Sequence, residues 1–131
     1  MWYCNKCTKH QNAKKKIEIY KTPIYLIIQL KRFIKRNVIL KTLFGNKNET
    51  NIDYKEVLNL KDFIVGPDKN NSIYHLYGVI IHKKLMNGGH YYAYCKNNGR
   101  WIKYDDESFY ECKNPTDKDA YLLFYKRKNI E

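Results

Sequence analysis

The main regularities in this 131-residue chain are short apolar stretches with strand periodicity, separated by polar, asparagine-rich segments. Lys16-Ile17-Glu18-Ile19-Tyr20 alternates polar and apolar positions, as a half-exposed strand does. Beyond Pro23, residues 24–30 form a continuous apolar run broken only by Gln29. Its length and β-branched content predict a strand buried on both faces. Residues 35–53 are polar, contain Gly45-Asn46, and read as a loop or insertion. Apolar positions Val57, Leu58, Leu60 and Phe63 predict one short helix within 54–63. Gly66-Pro67, followed by four polar residues, marks a second loop. From residue 73 the pattern turns strongly to strand, with tyrosine-rich segments over 73–81, 90–96, 101–105 and 120–125. There are no internal repeats. The expectation is a mostly antiparallel sheet with little helix, whose first residues read as an interior segment and which looks incomplete.

Composition bounds this picture. The length allows one domain at most, or a piece of a larger one, and suffices to bury a core. Apolar residues at 44% and thirteen tyrosines argue against disorder despite the charge. No apolar run approaches the ~20 residues of a membrane-spanning helix. Met1-Trp2-Tyr3-Cys4 has neither the basic nor the apolar region of a secretion signal, so a cytoplasmic or nuclear location is expected. The formal net charge of +12 invites a nucleic-acid reading. The basic residues are scattered, however, with only short runs at 14–16, 31–32 and 126–128, and nucleic acid ranks low as a partner.

Candidate chemistry begins at Asn87-Gly88-Gly89-His90-Tyr91. Two consecutive glycines permit another backbone to approach closely, and the histidine would open a strand at the floor of such a groove. Asn98-Gly99 is the strongest hairpin signal in the chain. A two-residue turn there pairs Asn97 with Arg100 and places Glu107 opposite His90; a three-residue turn places Asp106 there, and a bulge or longer loop brings Asp105. In each register an acid faces His90 at cross-strand distance. Such an acid fixes the imidazole tautomer and supports its charged form, the orienting half of a catalytic triad.

A nucleophile does not follow from the same pattern. Cys95 lies five residues beyond His90, on the opposite strand face and roughly 16 Å away. Cys112 sits in what reads as a polar loop. Cys4 and Cys7 form a CxxC pair, the spacing at which two thiolates share one Zn²⁺, and His10 is a candidate third ligand. No second CxxC exists, so the pair reads as half of a zinc site that holds metal poorly alone.

In this order, these segments resemble the C-terminal half of the catalytic domain of the ubiquitin-specific proteases, which are papain-like cysteine deubiquitinases. Residues 2–7 with His10-Gln11-Asn12-Ala13 are similar to the second zinc knuckle of that family's fingers region. Tyr25 to Phe33, ending Leu30-Lys31-Arg32-Phe33, resembles its buried "LKRF" strand, with Gln29 where the family commonly has histidine. Tyr74 to Val79 followed by Gly88-Gly89-His90-Tyr91-Tyr92-Ala93-Tyr94 resembles its histidine box. Residues 101–106 and 120–125 complete the match, which spares only the loops near 35–50 and 66–72.

The resemblance implies an α+β papain-like fold, with residues 1–15 as half a zinc knuckle and 16–131 as the palm. It implies His90 as general base, Asp105 as its orienter, and Asp106 as a neighbour assisting at the oxyanion. Gly88 and Gly89 would line a channel for ubiquitin's C-terminal Gly-Gly, walled by Tyr91 and Trp101. Cys4 and Cys7 would contribute to a structural zinc site, and ubiquitin conjugates would be the substrate. The family's Gly-Asn-x-Cys box and first CxxC are absent from this sequence. The expectation is therefore a C-terminal piece that needs the other half of its domain and cannot hydrolyse conjugates alone. A catalytically inactive ubiquitin-binding module is the alternative, and a basic nucleic-acid binder the remote one.

Overall fold

A computed structural model describes residues 1–32, 47–85 and 88–128. Phe33, most of the expected 35–53 loop and Asn87 lie outside the described residues. The N-terminal residues form a small hairpin of β1 (Trp2–Cys4) and β2 (Lys9–Gln11), with Tyr3 paired to His10. The remaining strands build one antiparallel sheet. They are β3 (Tyr25–Gln29), β4 (Val57–Asn59), β5 (Ile73–Leu85), β6 (Gly88–Asn97), β7 (Arg100–Asp105), β8 (Ser108–Cys112) and β9 (Ala120–Arg127). Their order is β3-β9-β5-β6-β7-β8, with β4 paired beside β5.

One face of this sheet carries the core: Tyr74, Leu76, Val79, Ile81, Tyr92, Trp101, Ala120, Leu123 and Tyr125 are buried together. Along β5 the buried positions switch from even to odd numbers after Leu76. The register against β9 shifts between Leu76 and Gly78, so Tyr77 is the extra residue of a bulge. Without that insertion, strand alternation would turn Val79 and Ile81 outward.

Several expectations are corrected. Residues 16–20 form no strand; Ile19 makes a single bridge to Ile64, and Ile17 is 86% exposed. The 24–30 run is a strand, but among the described residues it is the edge of the sheet and pairs only with β9. Tyr25 and Ile27 therefore face outward while Leu26 and Ile28 pack on the core. The helix expected in 54–63 is instead β4 followed by one 3-10 turn over Lys61–Phe63. Leu58 packs on the core through strand alternation, which the spacing of Val57, Leu58 and Leu60 had disguised as a helical face. Cys112 lies on β8 rather than in a loop, paired with Trp101.

Candidate active site

The hairpin at Asn98-Gly99 forms with the two-residue turn: both residues have positive φ (48° and 81°), and Asn97 pairs with Arg100. This is the backbone geometry that Asn-Gly adopts most easily. Extended along β6, that register would bring Glu107 opposite His90. The ladder does not extend so far. A second tight turn at Asp106-Glu107, with Asp106 at φ 52°, reverses the chain into β8 and pairs Asp105 with Ser108. The last β6–β7 pair is Ala93 with Tyr104. Asp105 thus lies level with Tyr92, on the same face as His90 and diagonal to it.

From that diagonal position Asp105 Oδ1 lies 2.5 Å from His90 Nε2. The His90 side chain is about one-third exposed and that of Asp105 about one-quarter, at the rim of the core face. With Nε2 engaged, Nδ1 is the ring nitrogen left to exchange a proton with another group. The second oxygen of Asp105 is also taken: Lys103 Nζ donates to Oδ2 at 2.7 Å. The Lys103 ammonium first, and the bond to His90 second, hold the Asp105 carboxyl below its usual range. Asp106 is exposed, and its carboxylate comes within 4.8 Å of the two other groups. These three are the only such cluster among the described residues close enough to share a cation, but His90 Nε2 already faces Asp105.

Beneath the pair the strand is tied down. Tyr92, two residues from His90, donates its hydroxyl to Asp117 at 2.5 Å, and the Asp117 backbone N–H in turn donates to the Tyr54 hydroxyl oxygen at 2.9 Å. Burial, with the neighbouring carboxylate, pushes the Tyr92 phenol well above its ordinary pKa, so it stays a donor.

The expected channel residues separate. Gly88 opens β6 opposite Leu85. A Cβ at Gly89 would stand 2.1 Å from His82 Nε2, so any larger residue there would have to displace the His82 ring. Tyr91 points to the face opposite His90, where it stacks on His82 at 4.2 Å between ring centroids. Trp101 does not wall a channel beside His90. It is 4% exposed, bonded through Nε1 to Glu56, and four residues along β7 from Asp105, about 13 Å away. Lys103 went unnoticed in the sequence. The signal was its alternation with Asp105, which puts both on one strand face.

Of the four free cysteines, Cys4 and Cys7 stand at the end of β1 and in the turn that follows. Backbone amides of Cys7 and Lys6 bond the Cys4 sulfur and lower its pKa, which favours the thiolate a metal would bind. His10 pairs with Tyr3, the neighbour of Cys4, so its ring lies across the hairpin from the Cys4 thiol and against the Tyr3 ring. Desolvation raises the pKa of the exposed Cys95 and the half-buried Cys112, so neither is favoured as a thiolate.

Comparison with known proteins bears on this arrangement. A family model described as "Ubiquitin carboxyl-terminal hydrolase" matches residues 1–125. Bovine ubiquitin carboxyl-terminal hydrolase 4 is 36% identical over 135 residues, covering 99% of this chain and 14% of the relative. Rat ubiquitin carboxyl-terminal hydrolase 15 is 34% identical over 133 residues, covering 98% and 13%. Among solved structures, a SAGA DUB module with Ubp8, Sgf11, Sus1 and Sgf73 bound to monoubiquitin is similar at 32% identity and TM-score 0.75, over 99% of this chain and 29% of that one. A yeast SAGA DUB module matches at 31% identity and TM-score 0.76, again over 99% and 29%. The mostly antiparallel sheet, with few helical turns, is thus part of a papain-like fold. This chain spans about one-seventh of the length of the curated relatives it matches. By its sequence, its fold and the extent of the match, the chain belongs to the ubiquitin carboxyl-terminal hydrolase family.

Proposed function

We propose that this chain supplies the general base and its orienting acid to a cysteine-type deubiquitinase acting on ubiquitin conjugates. The observation that carries the reading is the 2.5 Å contact between His90 Nε2 and Asp105 Oδ1. Asp105 holds the ring so that Nδ1 can take the proton of a thiol and stabilises the imidazolium that results. The thiolate then attacks the carbonyl carbon of ubiquitin's last glycine. His90 returns its proton to the departing amine, and water hydrolyses the thioester to regenerate the thiol. Asp106, beside the pair, is the group placed to assist at the developing oxyanion.

The thiol has to come from outside these 131 residues, because Cys95 and Cys112 are remote from His90 along their strands and Cys4 and Cys7 belong to the knuckle. The test is release of a fluorophore from ubiquitin's C-terminus. The chain alone is expected to give no turnover. Fused to an upstream segment bearing a Gly-Asn-x-Cys box it is expected to turn over, and His90→Ala should abolish that. Turnover by the unfused chain that survives Cys95→Ala and Cys112→Ala but not His90→Ala would overturn the assignment of an external thiol. A fusion that folds, binds ubiquitin and never hydrolyses it would favour the second reading, a ubiquitin-binding module. The lack of a placed thiol in this chain is the observation behind that second reading.

Cys4 and Cys7 fit half of a tetrahedral zinc site, the metal serving to close the β1–β2 knuckle. Two ligands bind weakly, so the chain alone should lose its zinc to a chelator while the fusion bearing a second CxxC retains one equivalent. Zinc content after EDTA dialysis reads this directly, and retention by the chain alone counts against a half-site. The natural setting we assign is cytoplasmic or nuclear, where the CxxC thiols remain reduced.

A further inference from the structure

We propose that Lys103 is a positioning residue for the His90–Asp105 pair: its ammonium holds the second carboxylate oxygen of Asp105 and so presents the first to His90. The inference rests on the reading of His90 and Asp105 as base and orienter. A carboxylate at the end of a strand is free to rotate about its terminal torsion unless both oxygens are engaged. Asp105 closes β7 at a tight turn, and its own side chain is about one-quarter exposed, so nothing in the backbone selects one rotation. Lys103 does. Its Nζ lies 2.7 Å from Asp105 Oδ2, while Oδ1 lies 2.5 Å from His90 Nε2, so the carboxylate is held at both ends.

Lys103 is itself fixed. Its side chain is only 15% exposed, which is low for lysine, and its ammonium sits 4.0 Å from the centroid of the Tyr92 ring and 5.6 Å from that of Tyr110. Among the described residues, the other charged groups facing the pair are Asp106 beside it and Lys83, which pairs with His90 on β5 and lies 5.3 Å over the same Tyr92 ring. Neither takes the Asp105 oxygen that Lys103 holds. The ammonium is also the largest cause of the lowering of the Asp105 carboxyl pKa, ahead of His90, and Asp105 raises that of Lys103 in return.

Carbon-detected NMR titration of the Asp105 carboxyl, with the low-field Nε2 proton of His90, tests this in the chain, in Lys103→Met and in Lys103→Arg. Methionine keeps the stem over Tyr92 and removes the charge. It is expected to move the Asp105 midpoint up by about one pH unit and to broaden the His90 proton away, whereas arginine restores both. A Lys103→Met chain with the wild-type midpoint and an intact His90 proton overturns the proposal. If Lys103→Met loses its amide dispersion, the wild-type chain decides instead. The Lys103 ammonium signal should survive exchange near neutral pH and vanish in Asp105→Asn, and its absence from the wild type overturns the proposal. None of these readouts needs turnover. A wild-type fusion that fails to hydrolyse ubiquitin conjugates would sink the catalytic reading, while the titration still decides what Lys103 does to Asp105.

Discussion

Asp105→Asn, introduced into a fusion that supplies the thiol, is expected to lower kcat by about 10³–10⁴ while leaving KM for ubiquitin substrates within about twofold. Asparagine has nearly the shape of aspartate, so the turn at Asp106 and the strand pairing are kept. What it lacks is the charge that stabilises the imidazolium. Its amide nitrogen can also donate to His90 Nε2, which reverses the tautomer and puts the ring proton on Nδ1, where the thiol needs an acceptor. His90→Ala should cost at least as much, because the base itself is gone. The sign of the pH dependence follows from the lowered Asp105 carboxyl. A carboxyl depressed by Lys103 and His90 is ionised throughout the range above the ordinary carboxylate pKa of about 4, and it loses its charge only as pH falls through the lower folded value. The acid loss of activity therefore belongs to groups other than Asp105. Steady-state kinetics on ubiquitin–fluorophore conjugates would measure these effects, and a loss below tenfold in Asp105→Asn would remove the orienting role.

Ile81→Ala is expected to destabilise the chain by about 2–5 kcal/mol, and to lower its melting temperature by roughly 8–15 °C. Ile81 is fully buried and pairs across β5–β6 with Tyr92, the residue that anchors the His90 strand through Asp117. Truncation leaves a cavity that its neighbours, themselves paired strand residues, fill only partly. Ile27→Ala is the comparison. Ile27 is 59% exposed on the outward face of β3, and its loss should change stability by less than about 1 kcal/mol. Thermal unfolding followed by circular dichroism measures both. Equal costs at the two sites would contradict the placement of the core on one face of the sheet.

The chemistry of the site was legible because it depends on residue types and short spacings. Asn98-Gly99 dictated its own turn, since few other pairs accept two consecutive positive φ values. That turn brought an acid within reach of His90 whichever register held. The choice among Asp105, Asp106 and Glu107 was not legible in the hairpin. It depended on Asp106 adopting φ 52° and reversing the chain early, and nothing in Asp-Glu marks that turn as strongly as Asn-Gly marks the first. β8 was missed for a related reason. Ser108-Phe109-Tyr110-Glu111-Cys112 has no alternation, because it is an edge strand exposed along most of its length.

By itself, then, the sequence determined the strand-rich character, the first hairpin, the closeness of Cys4 to Cys7, and the nearness of His90 to an acidic cluster. Each of these is local, set by period-two patterning, by glycine and asparagine at turns, or by close spacing along the chain. Tertiary structure alone decided which apolar runs are buried. Residues 24–30 and 73–81 are both rich in isoleucine, tyrosine and leucine, yet one is the edge of the sheet and the other its centre. The bulge at Tyr77 switched the buried set of β5, Trp101 went to the core instead of the site, and Lys103 closed on Asp105. These outcomes follow from strand order and register, which bring together residues distant in sequence, and no window along the chain contains that information.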